Sequence, residues 1–281
     1  MRIKISSDST CDLSPALIAE NEINIVPLCV TKAGEMFRDG LDIQPKDIFA
    51  HVAAGGDLCG TTAVSVGEYS EVFSKLSAEY DGVVHICIGS GFSVTYQNAC
   101  LAAEDFPNVR VIDSMNLSTG QGHVVMEACK LAKELDDLDQ IAAALNELTP
   151  RVEASFILDR LDYMVKGGRC SSVAALGANL LKLKPCIEVA DGKMRVCKKY
   201  RGTYNKCLDT YVTDRLKDRD DIVPERIFIT YTTCPEDGLK VVHAKIAEYG
   251  AFEHVCETNA GCTVSCHCGP NTLGVLFIRK K

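Results

Sequence analysis

The stretch Val83-Val84-His85-Ile86-Cys87-Ile88-Gly89-Ser90-Gly91-Phe92-Ser93-Val94-Thr95-Tyr96 decides the fold. Its first six residues form an apolar run of strand length. Gly89 and Gly91 then let the backbone turn tightly. Helical periodicity follows from Ser93 to Phe106. A buried strand that passes through a glycine turn into a helix is the joint from which layered α/β proteins are built.

The same alternation runs outward in both directions. Arg2 to Ser6 and Ile23 to Val30 read as strands, with Ser14-Pro15 opening a helix between them as N-cap and first helical residue. Gln44-Pro45 opens another helix, which Gly55-Gly56 ends. Short apolar runs recur at 109–112, 154–158, 226–231 and 254–258. Helical patterns lie at 68–80, 116–135 and 235–249. Asp191-Gly192, between Cys186-Ile187-Glu188-Val189 and Met194-Arg195-Val196-Cys197, reads as a hairpin turn. These patterns predict two α/β domains with largely parallel sheets and flanking helices. Pro150 in Leu148-Thr149-Pro150-Arg151 breaks a long helical stretch, so the domains are expected at 1–150 and 151–281.

Composition narrows the function. The chain has 281 residues and 47% apolar content, enough for a substantial core. The net charge is −8, which argues against a nucleic-acid partner. Lys193, Arg195, Lys198, Lys199 and Arg201 are the densest basic group, and an exposed hairpin face accounts for them. No run of about 18 apolar residues occurs, so stable membrane insertion is not expected. Met1-Arg2-Ile3-Lys4-Ile5 enters a strand without the apolar stretch of a signal peptide. Fifteen cysteines, an odd number, lie mostly in apolar runs. They read as small core residues in a reducing compartment, and the expected location is cytoplasmic.

The segment around Ser93 is the first candidate site. A helix start after a glycine turn points free N–H groups at whatever occupies it, and suits a carboxylate or phosphate. An ordinary N-cap explains Ser93 equally well. Gly60-Thr61-Thr62-Ala63-Val64-Ser65 supplies a second cluster of hydroxyls. Ser65 and Glu68 fit a capping box, which leaves Thr61 free for a ligand.

Nucleotide motifs are absent: there is no Walker loop, and Gly89-Ser90-Gly91 lacks the third glycine of a dinucleotide fingerprint. Gly91-Phe92-Ser93-Val94-Thr95 is one glycine short of a nucleophile elbow, for which Asp113 and His267 are conceivable partners. Cys262, Cys266, His267 and Cys268 are the densest ligand-like group. They lack the paired spacing of zinc sites, so core or pocket-lining roles are expected and a metal is not, with a zinc-stabilised interaction module as the alternative. In a strand, Cys266 and Cys268 would share one face and His267 the other. His85, inside its apolar strand, reads as a satisfied core residue.

Together these pieces resemble the DegV family. Ser7-Asp8-Ser9-Thr10-Cys11-Asp12-Leu13 is similar to the family's S-D-S-T-x-D-L start. Thr61-Thr62-Ala63-Val64-Ser65 sits where T-S-Q-P-S is common, and Ser90 to Tyr96 resembles S-G-L-S-G-T-Y. Val111-Ile112-Asp113-Ser114, Gly167-Gly168-Arg169, Leu183-Lys184-Pro185, Arg201-Gly202 and His267-Cys268-Gly269-Pro270 follow in the family's order. The resemblance implies a bacterial carrier that holds a long-chain fatty acid such as palmitate or oleate near a domain interface, with no cofactor and no catalytic residue of its own. It implies that Thr61 and Ser93 hold the carboxylate, with Thr62, Gly91 and His267 around it. Arg169 would contact a separate kinase that makes an acyl phosphate. An enzyme is the alternative, either a Ser93 hydrolase or one akin to the dihydroxyacetone kinases, whose domains resemble this family. The chain departs from the family pattern at Ala63-Val64, Val94 and Asn271. Those departures bear on ligand choice and on delivery to a kinase.

Overall fold

The computed structural model describes residues 1–174 and 183–281. In chain order the first strands are β1 (Ile3–Asp8), β2 (Asn24–Val26), β3 (Cys29–Lys32), β4 (Glu35–Arg38), β5 (Gly60–Thr62), β6 (Gly82–Cys87) and β7 (Val109–Asp113). There follow β8 (Val152–Ile157), β9 (Leu183–Ala190), β10 (Lys193–Arg201), β11 (Ile222–Tyr231), β12 (His254–Asn259) and β13 (Leu273–Arg279).

The first sheet has the order β2-β1-β6-β7, and every pair in it is parallel. All six residues of β6 are buried, as a strand covered on both faces requires. Val83 and Cys87 pack on one face with Tyr69 and Phe73 of the helix Val66–Glu79 and Ala99 of the helix Thr95–Ala103. Val84 and Ile86 pack on the other with Val124 and Ile141, from the helices Thr119–Glu134 and Leu138–Leu148. His85 is a satisfied core histidine, bonded to Ser6 at 2.9 Å and Tyr69 at 3.2 Å. Burial pushes its pKa down to about 3.

The stretch 23–30, expected as one strand, splits at Pro27 into β2 and β3. Proline cannot donate to a ladder, and the chain leaves the parallel sheet there to form the antiparallel set β4-β3-β5.

The second sheet has the order β10-β9-β8-β13-β11-β12. The expected α/β class, with a parallel sheet and flanking helices, is what the chain forms, but this second sheet corrects the expectation that both would be largely parallel. Only β11 and β12 pair in parallel, across the helix Glu236–Tyr249. The other four pairings are antiparallel. For β9 and β10 the cause is local: Asp191 and Gly192 both have positive φ, which makes a two-residue hairpin and forces antiparallel strands.

The helix Thr119–Glu134 lies between the two sheets. Gln121 donates to Ser7 of β1 at 2.9 Å, and the His123 ring meets the carbonyl of Leu276 in β13 at 3.0 Å. One apolar cluster accordingly draws Ile5 and Val84 from the first sheet and Ala154, Phe228 and Leu276 from the second.

Two buried aspartates tie the early loops to the helix Cys262–Cys268. Asp39 accepts from the backbone of Cys262 at 2.8 Å and Thr263 at 3.0 Å. Asp12 accepts from Gly261 at 2.8 Å and from Ser118 at 2.6 Å. Burial raises the Asp12 carboxyl to about 8, against two hydrogen bonds that lower it. Its folded pKa therefore exceeds its unfolded value of 3.8, so the folded state binds more protons between these limits. Thermal stability should fall as pH rises from 3.8 towards about 8. Asp12→Asn should flatten that slope in melting curves taken across the range. If the substituted protein keeps the parental pH dependence, the slope belongs to other groups.

Candidate functional site

The order β2-β1-β6-β7 reverses direction between β1 and β6, and open α/β sheets place ligands at such a switch point, beyond the carboxyl ends of the strands. Here the buried Asp8 at the end of β1 accepts from the backbone of Ile88 at 2.7 Å and so fixes the start of the glycine turn. Gly91 is a position where only glycine fits, because a Cβ would lie 2.2 Å from the carbonyl oxygen of Gly192 at the β9–β10 hairpin tip. The turn ends with Ser93 Oγ accepting from the Thr95 backbone at 3.2 Å and 2.8 Å from the Thr95 hydroxyl.

Thr61 arrives from a different direction. In β5 it pairs opposite Val30 of β3, so the two side chains share a face. Val30 packs with Cys262 and Cys266. That register points Thr61 at the same helix, where its hydroxyl lies 2.9 Å from Nε2 of His267. Among the described residues His267 Nδ1 is covered without a partner, against Gly167. Burial lowers the His267 pKa to about 4, and the charge of Arg169 adds to the effect, so the imidazole is neutral at pH 7.

Arg169 follows the helix Asp162–Gly167, which Gly168 ends in the left-handed conformation. Its guanidinium donates to the Gly167 carbonyl at 2.6 Å and reaches the Phe92 carbonyl at 3.5 Å.

These residues line one cavity of about 670 Å³. Thr61, Thr62, Gly91, Ser93, Arg169 and His267 all border it, so the six residues singled out in the sequence are brought together. Leu28, Ile88, Phe92, Leu117, Met164, Met194 and Val264 form its apolar walls. Leu117, Val264 and Cys268 also line a small apolar void of about 30 Å³ that reaches Phe156 and Leu276 in the second sheet. Sequence reading missed these wall residues, because they come from every part of the chain and carry no local signature.

Two readings change. The segment 262–268 is a helix, not a strand. Cys262 and Cys266, one turn apart, pack together beside β3, while Cys268 faces the cavity wall with Val264. The hydrolase arrangement is not assembled: Ser93 bonds Thr95, His267 bonds Thr61, and Asp113 accepts from the backbones of Ser90 and Met115. Asn271 occupies a left-handed position at φ +55, which asparagine tolerates better than most residues other than glycine.

Comparison with known proteins identifies the family and the fold. The family described as "Uncharacterised protein, DegV family" matches residues 2–280. A DegV domain-containing protein of Clostridium acetobutylicum is 34% identical over 281 residues, 99% of each chain. Among solved structures, a fatty-acid-binding DegV family protein from Thermus thermophilus is similar with a TM-score of 0.90 and 28% identity, covering 99% of this chain and 100% of that one. A stearic-acid-binding protein from Eubacterium ventriosum matches with a TM-score of 0.82 and 26% identity, covering 99% of this chain and 98% of its own. None of the described helices is long and apolar enough to cross a membrane. With a match that runs from its second residue to its last but one, the chain belongs to the DegV family.

Proposed function

We propose that this protein binds one long-chain fatty acid in the 670 Å³ cavity and presents its carboxylate to a separate kinase. The observation that carries the reading is the mixed lining of the cavity: the Thr61 hydroxyl bonded to a neutral imidazole, the Ser93 hydroxyl and the Arg169 guanidinium that reaches the Phe92 carbonyl share it with seven apolar side chains. A fatty acid joins the same two kinds of surface. Its volume class fits, since small-molecule sites span about 300–1,000 Å³. Each buried methylene contributes about 0.8 kcal/mol, so an acyl chain of about 15 methylenes brings roughly 12 kcal/mol before association costs. The small void beyond Leu117 and Val264 offers room for the tail end after modest side-chain movement. Fatty acid binding by the Thermus and Eubacterium proteins supports the same assignment.

The carboxylate is assigned to Thr61 and Ser93. Their hydroxyls, with the helix start at Thr95, supply donors that a buried carboxylate needs. The Thr61–His267 bond would orient the threonine hydroxyl towards the ligand. Thr62, Gly91 and His267 complete the surroundings.

Organic extraction of the purified protein, followed by mass spectrometry, should yield a long-chain fatty acid in roughly one-to-one ratio. An empty protein that also refuses added palmitate and oleate would overturn the reading.

Hydrogen bonds to charged groups contribute about 1.5–3 kcal/mol each. Ser93→Ala and Thr61→Ala should each weaken fatty acid binding about tenfold or more, with melting temperature preserved. Titration of both variants with a fluorescent fatty acid checks this, and parental affinity in both would move the carboxylate elsewhere.

Arg169 is exposed at the cavity mouth and its charge is available for phosphate oxygens. As a kinase contact, Arg169→Ala should lower acyl phosphate formation with a cognate kinase while leaving stability and fatty acid affinity nearly unchanged. Its bond to the Gly167 carbonyl also makes it a helix cap. A variant that loses a little stability yet turns over at the parental rate would reduce it to that cap alone.

A further inference from the structure

Of the fifteen cysteines, Cys197 alone is exposed. It lies far along the chain from every cavity residue except Met194, and the fatty acid reading makes no use of it. The β9–β10 ladder pairs Val196 with Ile187 and Lys198 with Cys186. Cys197 is therefore the extra residue of a bulge. A bulge re-aims side chains, and this one turns Cys197 towards the helix Tyr204–Leu216 together with Lys198 and Tyr200, which both bond Asp214.

Three groups meet there. Arg215 donates to the Cys197 sulfur at 2.8 Å and to the Cys186 sulfur at 3.4 Å. Both sulfurs thus meet the same guanidinium nitrogen, and the Cys197 thiol donates to the backbone carbonyl of the buried Cys186 at 3.4 Å. Arg215 is itself held at 15% exposure by Glu153 and Glu188. A fixed guanidinium beside an accessible sulfur, with a second sulfur beneath it, is how reactive cysteine pairs are made.

We propose that Cys197 is a hydroperoxide-reactive thiol and that Cys186 resolves it, closing a disulfide across the β9–β10 hairpin.

The chemistry balances. The Cys197 thiolate attacks one peroxide oxygen, the S–O bond forms, the O–O bond breaks, and hydroxide or alkoxide leaves. Cys186 then loses its proton and attacks the sulfenic sulfur. The S–S bond forms, the S–O bond breaks, and water departs. The two sulfurs together give up two electrons, which reduce the hydroperoxide to an alcohol, or to water when the oxidant is hydrogen peroxide. A cellular dithiol reverses the step by thiol–disulfide exchange.

The electrostatics favour this pair over the others. The neighbouring Cys186 thiol lowers the Cys197 pKa, with Arg215 adding its charge; burial and Glu188 oppose them. Cys186 moves the other way, through Cys197 first and then through burial. Arg195, on the same strand, pairs with Glu188 and adds positive charge nearby. Cys59 and Cys266 also share one apolar cluster, but burial pushes both thiols up and neither is exposed.

The test uses the full, reduced protein and one equivalent of hydrogen peroxide at neutral pH. Non-reducing digestion and mass spectrometry should find the Cys186–Cys197 linked peptides first, with the other cysteines still open to alkylation. Oxidation spread over many cysteines would overturn the proposal. Cys186→Ala should stall the reaction at a sulfenic acid on Cys197, trapped by dimedone; a disulfide formed there with another cysteine would remove Cys186 from the resolving role. The third measurement needs no variant. An ordinary thiol titrates at about 8.5. Iodoacetamide should label Cys197 with a rate that rises with pH and levels off around a midpoint below that value. At pH 7 the larger thiolate fraction outweighs its lower nucleophilicity, so labelling should be faster than for an ordinary exposed thiol. A midpoint near the ordinary value would show that Arg215 and Cys186 do not activate Cys197, and the proposal would fall.

Discussion

Two buried aspartates hold the helix Cys262–Cys268, and the cavity depends on where that helix sits. Asp12 is 5% exposed and Asp39 is 4% exposed. Between them they accept the backbone N–H groups of Gly261, Cys262 and Thr263, which a helix start would otherwise leave without partners. Asp39 also accepts from the Thr263 and Ser9 hydroxyls, at 2.7 and 3.2 Å. Burying such groups unpaired is expensive, so the helix has one low-energy position relative to the loops that carry the aspartates. His267, Val264 and Cys268 are on this helix and reach the cavity because of it.

The same constraint explains why the polar lining of the cavity is built from three separate parts of the chain. Thr61 comes from a small antiparallel sheet, Ser93 from the turn after β6, and His267 from a helix near the C-terminus. None of the three is on a long loop. Each side chain is aimed by a strand, a hydrogen-bonded turn or a helix, which would limit the reorganisation needed at the proposed carboxylate site. The neutral state of His267 follows from the same packing. A charged imidazole beside Arg169 would be unfavourable, whereas a neutral one can bond the Thr61 hydroxyl without competing for the ligand's charge.

What was legible in the sequence was local. Ser14 caps the first α-helix as its Ser-Pro signal suggests, Ser65 and Glu68 form the capping box, and Asp191-Gly192 makes the hairpin. Each depends on residues within a few positions of one another. The helix at 262–268 was not legible, because its small and β-branched residues suit a strand equally well. Its deciding partner, Asp39, is 223 residues away. The antiparallel character of the second sheet was hidden for a related reason. Alternating strands and helices look alike whichever way a returning strand is inserted, and β13, the last strand, goes between β8 and β11. The polar residues of the cavity stood out because glycine turns and hydroxyl clusters leave local traces, while Leu28, Met164 and Met194 leave none.

The departures from the family pattern fall into two physical kinds. At Asn271 the backbone requirement survives the change. Its left-handed φ is kept by the residue type that best tolerates it after glycine, and its side chain gains bonds to Asp159 at 3.1 Å and Thr233 at 3.1 Å. At Val94 and Ala63 the change is to the cavity rim. Val94 is 61% exposed yet borders the cavity, and Ala63 borders it beside Thr61 and Thr62. An exposed β-branched side chain next to Ser93 narrows the approach to the hydroxyl without disturbing the helix, which begins at the next residue. Of the departures, Ala63 and Val94 therefore border the cavity, whereas Val64 is a buried core residue beside Tyr69 and Asn271 keeps a turn outside the cavity lining.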